Sequence, residues 1–324
     1  MVKASPDKIV YAGVGKKRDE IVDAIRYGVL FFNMESQEEL EMINRCAKAE
    51  GKKVNAAIRI NPDVAISTHD YITTGKAQTK FGIDFETAKN ILRLSWKYRN
   101  VDIKGVHIHL GSQILSAVPF QKAIKKVLRF LDDNKIVVEY LNIGGGLGIV
   151  YSFEKAQTAS RFAQKIIPLV RKSKLSLIIE PGRFISGNSG IMVTKVLYRK
   201  KAGGKRFIIV DSGMNDLIRP SLYEAYHTVV PILKSQGKPL KDRCDVVGPI
   251  CESGDFLAKD RLLPQMNRGD LLAIMGAGAY GYAMSSNYNS RPRAAEVMVE
   301  GNRFFVVKKR EVYKDLVRGE LIRK

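Results

Sequence analysis

Residues 137–148, VVEYLNIGGGLG, and residues 175–183, LSLIIEPGR, decide how this chain folds. Each is a short apolar run that stops abruptly at Gly or Pro, as a buried strand does at its end. Between them, AQTASRFAQKIIPLVRKSK (156–174) spaces its apolar residues as a helix does. The same alternation runs back toward the start. Strand-like runs recur in KIVYAGVG (8–15), VLFFNMES (29–36), NAAIRINP (55–62) and IKGVHIHLGS (103–112), with helical patterns between most of them. One helix opens on Ser36, with Glu39 three residues on, and closes on Gly51. Strand and helix alternating at this spacing predict parallel strands joined by helical crossovers.

Beyond about residue 186 the rhythm stops. GIMVTKVLYRKKAGGKRFIIVDSG (190–213) reads as a hairpin around Gly203-Gly204, and further strands with tight turns follow. Two domains are therefore expected: an α/β domain over 1–186 and a mostly antiparallel β domain over 187–324. Six strand–helix steps fall short of an eight-stranded barrel, and an open doubly wound sheet is the other arrangement they permit.

The totals narrow the function class. The chain has 324 residues, 45% of them hydrophobic, and no apolar run near the length of a membrane span. The start lacks a secretory pattern. Three scattered cysteines fit a reducing cytoplasm and form neither a disulfide framework nor a metal site. Fifty-four Lys and Arg against 33 Asp and Glu give a net charge of +21. The cations spread over helix faces such as QKAIKKVLRF (121–130), so nucleic acid is not the expected partner; the field favours an anionic small molecule.

In both architectures ligands gather at the carboxyl ends of the strands. Gly144–Gly148 follows a strand and crowds amide groups around an anion, or is a plain turn. Glu180, at the end of an apolar run, needs a partner; Pro181 stops a helix, and Gly182 admits close approach. A phosphate, a protonated ring nitrogen and a carboxylate together suggest pyridoxal phosphate, although a Glu180 bonded to its own loop remains open. HIHLGS (107–112) adds His109 to lie on a ring and Ser112 to meet a phosphate, unless the histidines are structural. GPICESGD (248–255) holds Cys251, a candidate proton donor, beside Glu252, a candidate ammonium partner; a core cysteine is the plainer alternative. Arg219 and Tyr223 share a face if helical, with Arg219 a fork for a carboxylate near a cluster of acids. Tyr280 is the expected contact from the Gly-, Tyr- and Asn-rich stretch 276–293.

Taken together, HIHLGSQ, NIGGGLG, IEPGR, NDLIRPSLYEAYH, GPICESGDFLAKDR and GAYGYAMSSNYNSRPR resemble the diaminopimelate decarboxylase family, from about Asp7 to the C-terminus. The resemblance implies a (β/α)8-type barrel missing its first two strands, then a mostly antiparallel β domain. It implies pyridoxal 5'-phosphate, with Glu180 against the pyridine nitrogen, His109 stacked on the ring, and Ser112, Gly145, Gly146, Pro181, Gly182, Arg183 and Tyr280 around the cofactor. Cys251 then resembles the proton donor after carbon dioxide leaves, and Arg183, Arg219, Tyr223, Glu252 and Tyr280 the substrate contacts. A homodimer with shared sites, a cytoplasmic location, no metal and meso-diaminopimelate conversion to L-lysine follow. The family's cofactor-bound lysine belongs to a strand motif not found here; Lys16 and Lys17 follow a different strand. Truncation is the expected cause. A decarboxylase of another diamino acid and a catalytically silent homologue are the rival expectations.

Overall fold

The protein is described here by a computed structural model covering residues 3–64, 79–233 and 243–321. It divides into two compact units: Met1–Gly148 with Lys155–Pro181, and Ile149–Glu154 with Gly182–Lys324.

The first unit alternates β1 (Val10–Tyr11), α1 (Arg18–Tyr27), β2 (Phe31–Met34), α2 (Gln37–Ala49), β3 (Val54–Arg59), α3 (Phe85–Arg93), β4 (Val101–His107), α4 (Val118–Asp133), β5 (Tyr140–Asn142), α5 (Ala159–Ser173) and β6 (Ser176–Ile178). All six strands are parallel and lie in the order β1-β2-β3-β4-β5-β6. That order settles what periodicity left open. Doubly wound sheets reverse direction at a switch point, and this one never does. Crossovers of one hand that always step the same way place the helices on one face, so the sheet curls as part of a barrel.

Register shows how the two faces differ. Met34, Ile58, Val106, Leu141 and Leu177 pair in one row, largely buried and apolar. Arg59, His107 and Asn142 pair in the neighbouring row, and Asn33, Glu35 and Glu180 share their face by the two-residue repeat. The strand ends therefore carry a polar row on the face opposite the apolar one.

The helices bury stripes at helical spacing, such as Phe120, Ala123, Ile124 and Val127 in α4 and Phe162, Ile166 and Val170 in α5. Phe120 meets Phe162 edge to face at 5.1 Å. At α2, the Ser36 hydroxyl accepts from the Glu39 N–H as the sequence predicts, but the Glu39 carboxylate accepts from the Glu35 N–H and from Lys16 instead of closing the box on Ser36.

The second unit opens with α6 (Gly182–Ser186), then β7 (Met192–Ala202) and β8 (Lys205–Val210), the hairpin around Gly203-Gly204. α7 (Arg219–Tyr223), β9 (Val229–Pro231), β10 (Cys244–Val247), β11 (Phe256–Arg261) and β12 (Leu271–Ile274) follow. These strands form one sheet in the order β11-β10-β8-β7-β12-β9, antiparallel except for β8 with β10. Its core gathers Val196, Val210, Leu217, Val246 and Leu272. β13 (Glu296–Glu300) and β14 (Arg303–Lys308) form a separate hairpin.

Phe120→Ala is expected to cost about 3–5 kcal/mol of unfolding free energy, because a 1%-exposed ring leaves a cavity between α4 and α5. Urea denaturation checks this; a loss under about 1 kcal/mol would contradict the packing described.

Candidate active site

At the strand ends of the first unit, Glu180 is held by two amides. Its Oε1 accepts from Asn142 Nδ2 at 2.7 Å and from Asn33 Nδ2 at 3.2 Å. Among the described residues its Oε2 accepts no hydrogen bond. The Glu180 N–H donates to the Gly144 carbonyl at 2.8 Å, fixing the end of β6 against the loop after β5.

That loop is close-packed backbone. A Cβ on Gly145 would collide with the Glu180 carbonyl, and one on Gly146 (φ +91°) with the Gly111 carbonyl. The Gly145 N–H donates to His109 Nδ1 at 3.1 Å, which makes His109 a neutral ring protonated on Nε2. Burial, then the positive charge of Arg59, pushes His109 down to about 4. The Gly146 N–H has no partner among the described residues. Ser112 lies in the turn between Gly111 and the Ile114–Leu147 bridge.

His107, buried in the polar row, has neither ring nitrogen hydrogen-bonded, and its Nε2 stands 3.9 Å from Glu180 Oε1. Burial holds it far below the usual imidazole range, so the pair is a contact of neutral ring and carboxylate. Arg59 donates to Glu35 Oε1 at 2.6 Å, and the Gly82 N–H takes the other oxygen. Lys16 spends its ammonium on the Gly13 and Asn33 carbonyls and on Glu39, with its side chain 1% exposed.

In the second unit two guanidiniums are buried with no carboxylate beside them among the described residues. Arg183 donates to the Tyr151 hydroxyl at 2.6 Å and lies 4.6 Å over the Tyr280 ring. Arg219 lies 4.6 Å over the Tyr151 ring and donates to His227 Nε2 at 2.8 Å. The Nε of each arginine is buried and unpartnered. The acids expected around Arg219 are absent from its contacts; an aromatic ring and a neutral histidine take their place. Burial depresses Arg219 below its ordinary value; Tyr151 opposes this, and the like charge of Arg183 adds a smaller depression. Tyr223 closes the single turn of α7 begun by Arg219, so the two share its face.

Cys251 and Glu252 sit exposed on a tight turn, which excludes the core-cysteine alternative. Buried Asp255 ties the turn down: its carboxylate accepts from the Ile250 and Met214 N–H groups, both at 2.6 Å. Tyr288 donates to Glu252 Oε2 at 2.7 Å, and that carboxylate holds the phenol above its usual range. Asn33, Asn142, Tyr151, His227 and Asp255 were not foreseen as site residues. A polar residue breaking an apolar strand is the one signal that could have found the asparagines.

Residues 1–187 match the family model of the pyridoxal-dependent decarboxylase, pyridoxal binding domain. The chain belongs to the pyridoxal-dependent decarboxylases. It is 48% identical over 320 residues to the diaminopimelate decarboxylase of Aquifex aeolicus, covering 98% of this chain and 76% of that protein. The crystal structure of diaminopimelate decarboxylase from Helicobacter pylori complexed with L-lysine superposes with a TM-score of 0.91 at 41% identity, over 97% of this chain and 79% of that one. The enzyme from M. jannaschii, also in co-complex with L-lysine, gives 0.91 at 36% identity, over 98% and 75%. Pyridoxal phosphate is the family's cofactor, and the residues present fit it: an unpartnered Gly146 amide in a loop with no room for a Cβ, and a carboxylate fixed through one oxygen.

Gly145→Ala is expected to lower stability by about 1–3 kcal/mol or more, read from thermal or urea melts, because rigid backbone must move to admit the methyl; an unchanged midpoint would contradict the close approach. Acid is expected to destabilise the protein through two buried histidines. His109 and His227 are both lowered from 6.5 to about 4, so the unfolded chain binds more protons between those values. Stability then rises with pH from about 4 to 6.5 and is lost as pH falls through that window. Melting temperatures at constant ionic strength check this; a flat profile from pH 6.5 to 4.5 would contradict it.

Proposed function

We propose that this chain acts as a diaminopimelate decarboxylase, removing one carboxylate of meso-2,6-diaminopimelate to give L-lysine and carbon dioxide, with the cofactor-holding domain over 1–186 and the substrate residues mostly over 187–324. The observation that carries the substrate choice is the pair of buried guanidiniums, Arg183 and Arg219, with no carboxylate beside them among the described residues. A buried cation without an anion is costly, and a second substrate carboxylate supplies the missing charge. A substrate with a single carboxylate, which it loses, leaves nothing for the fork to hold.

When bound, pyridoxal phosphate supplies the electron sink that takes the pair left by departing carbon dioxide. The protein's own groups do the rest. The Gly146 amide and Ser112 would hold the phosphate, with Gly145, Pro181 and Gly182 shaping the backbone around it. His109, kept neutral, offers a flat ring face. Glu180, oriented by Asn33 and Asn142, would keep a proton on the pyridine nitrogen. Arg183 and Arg219 grip the distal carboxylate, Glu252 takes the distal ammonium, and Tyr223 and Tyr280 wall the site. Cys251 delivers the proton to the carbon that lost carbon dioxide. Cys251 and Glu252 are exposed on an anchored turn, which leaves them available to serve the cofactor of a second copy; the family resemblance implies that arrangement, a cytoplasmic homodimer with shared sites, as the working form.

A second reading, a chain that binds the cofactor without turning substrate over, is favoured by Lys16, whose amine is fully engaged elsewhere. One set of experiments separates the readings. Purified protein with pyridoxal phosphate is expected to release carbon dioxide from meso-diaminopimelate, and borohydride to fix the cofactor to the chain; neither event occurring selects the silent reading, and faster turnover of ornithine or lysine removes the substrate assignment. Glu180→Gln is expected to stay folded and slow turnover at least about a hundredfold, and Cys251→Ala to do likewise with the cofactor still bound. Mixing the two variants restores activity only if sites are shared, to about a quarter of wild type for random pairing.

A further inference from the structure

Tyr151 touches both arginines and His227 touches Arg219, and the side-chain polar atoms of the pair are engaged. The Tyr151 main chain is pinned at both ends: its N–H donates to Glu154 Oε1 at 2.9 Å, and its carbonyl accepts from Thr228 Oγ1 at 3.0 Å. Its ring lies flush on Gly276, where φ is +67° and a Cβ would stand 3.1 Å from the ring carbons. The hydroxyl receives Arg183, and the face receives Arg219. His227, fully buried, meets the Tyr151 ring edge to face at 5.2 Å.

The hydrogen bonds fix the tautomer of His227. Arginine only donates, so His227 Nε2 must be the acceptor for Arg219 Nη1. Nδ1 then carries the proton and donates to the Met275 carbonyl at 2.8 Å. The charged groups facing this ring are Arg219, Arg183 and Arg261, all cations, so a protonated His227 is doubly disfavoured. The chain Met275 carbonyl–His227–Arg219–Tyr151–Arg183 is thus a one-way hydrogen-bond and stacking relay that leaves both guanidinium Nε groups unspent.

We propose that Tyr151 and His227 are positioning residues that hold Arg183 and Arg219 as a paired cationic fork, and that the fork's preference for a substrate with a second carboxylate depends on them. Among the described residues no carboxylate competes for the fork, and the two that hold it are a phenol and a neutral imidazole. A carboxylate in their place would neutralise the fork and remove the selectivity. The inference rests on the substrate assignment above and goes one layer outward from it.

The test compares pimelate with hexanoate, which lacks one carboxylate. Neither carries an amine, so neither is turned over. Calorimetric titration into the cofactor-loaded protein is expected to show tighter binding of pimelate. His227→Leu removes the acceptor for Arg219 and is expected to cut that preference about tenfold or more, with hexanoate affinity changing less than about twofold. His227→Gln, which restores an acceptor and a donor, is expected to recover most of the preference. Tyr151→Phe keeps the ring under Arg219 and loses the acceptor for Arg183, so a loss of about threefold to tenfold is expected. Equal weakening of both ligands by His227→Leu, or no recovery with His227→Gln, would reduce the pair to a structural role and overturn the proposal. A wild-type protein that binds the two ligands alike would instead remove the dicarboxylate assignment itself. Preserved selectivity in all three variants leaves that assignment standing and defeats only the positioning role.

Discussion

Gly145 lies against the main-chain carbonyl of Glu180, and the chemistry of the first unit depends on that approach. It joins the loop after β5 to the end of β6, so the glycine amides and the carboxylate are set by one piece of backbone. The Glu180 N–H to Gly144 carbonyl bond closes the same contact from the other side. Asn142 then serves both parts: its Oδ1 accepts from the Gly144 N–H and its Nδ2 donates to Glu180. A site that must hold an anion and an acid close together needs such rigid separation, since a carboxylate free to swing would compete with the phosphate for the amides.

The buried charges follow one rule in two ways. In the first unit each buried cation has an acid: Arg59 with Glu35, Lys16 with Glu39. Such pairs repay part of their desolvation internally and are finished structures. In the second unit Arg183 and Arg219 have no acid among the described residues, and their desolvation is left uncompensated there. Uncompensated burial marks where a ligand of opposite charge completes the electrostatics. The net charge of +21 adds a long-range field that favours anions but does not choose among them.

Much of this was legible in the sequence, for definite reasons. Strand and helix positions follow from period, and abrupt Gly and Pro stops marked the strand ends where Glu180, His109 and the glycines stand. Periodicity carries no information about which strands become neighbours, so barrel and doubly wound sheets could be separated only by the observed order. The segment Ile149–Glu154 lies inside the rhythmic half yet packs with the second unit, because its partners are Thr228, His227 and the arginines, far away in sequence. Tyr151 and His227 escaped for the same reason: each is ordinary in its local stretch and acquires a role only through contacts that no spacing encodes. The asparagines were different. Asn33 and Asn142 interrupt apolar strands at the register of the polar row, a visible anomaly.

A crystal structure of the protein with pyridoxal 5'-phosphate tests the central claim most directly. The account predicts a phosphate oxygen within hydrogen-bonding distance of the Gly146 N–H, and the pyridine nitrogen beside the oxygen of Glu180 that the asparagines leave open. A phosphate seated away from the loop after β5, or a Glu180 carboxylate turned from the ring, would contradict it.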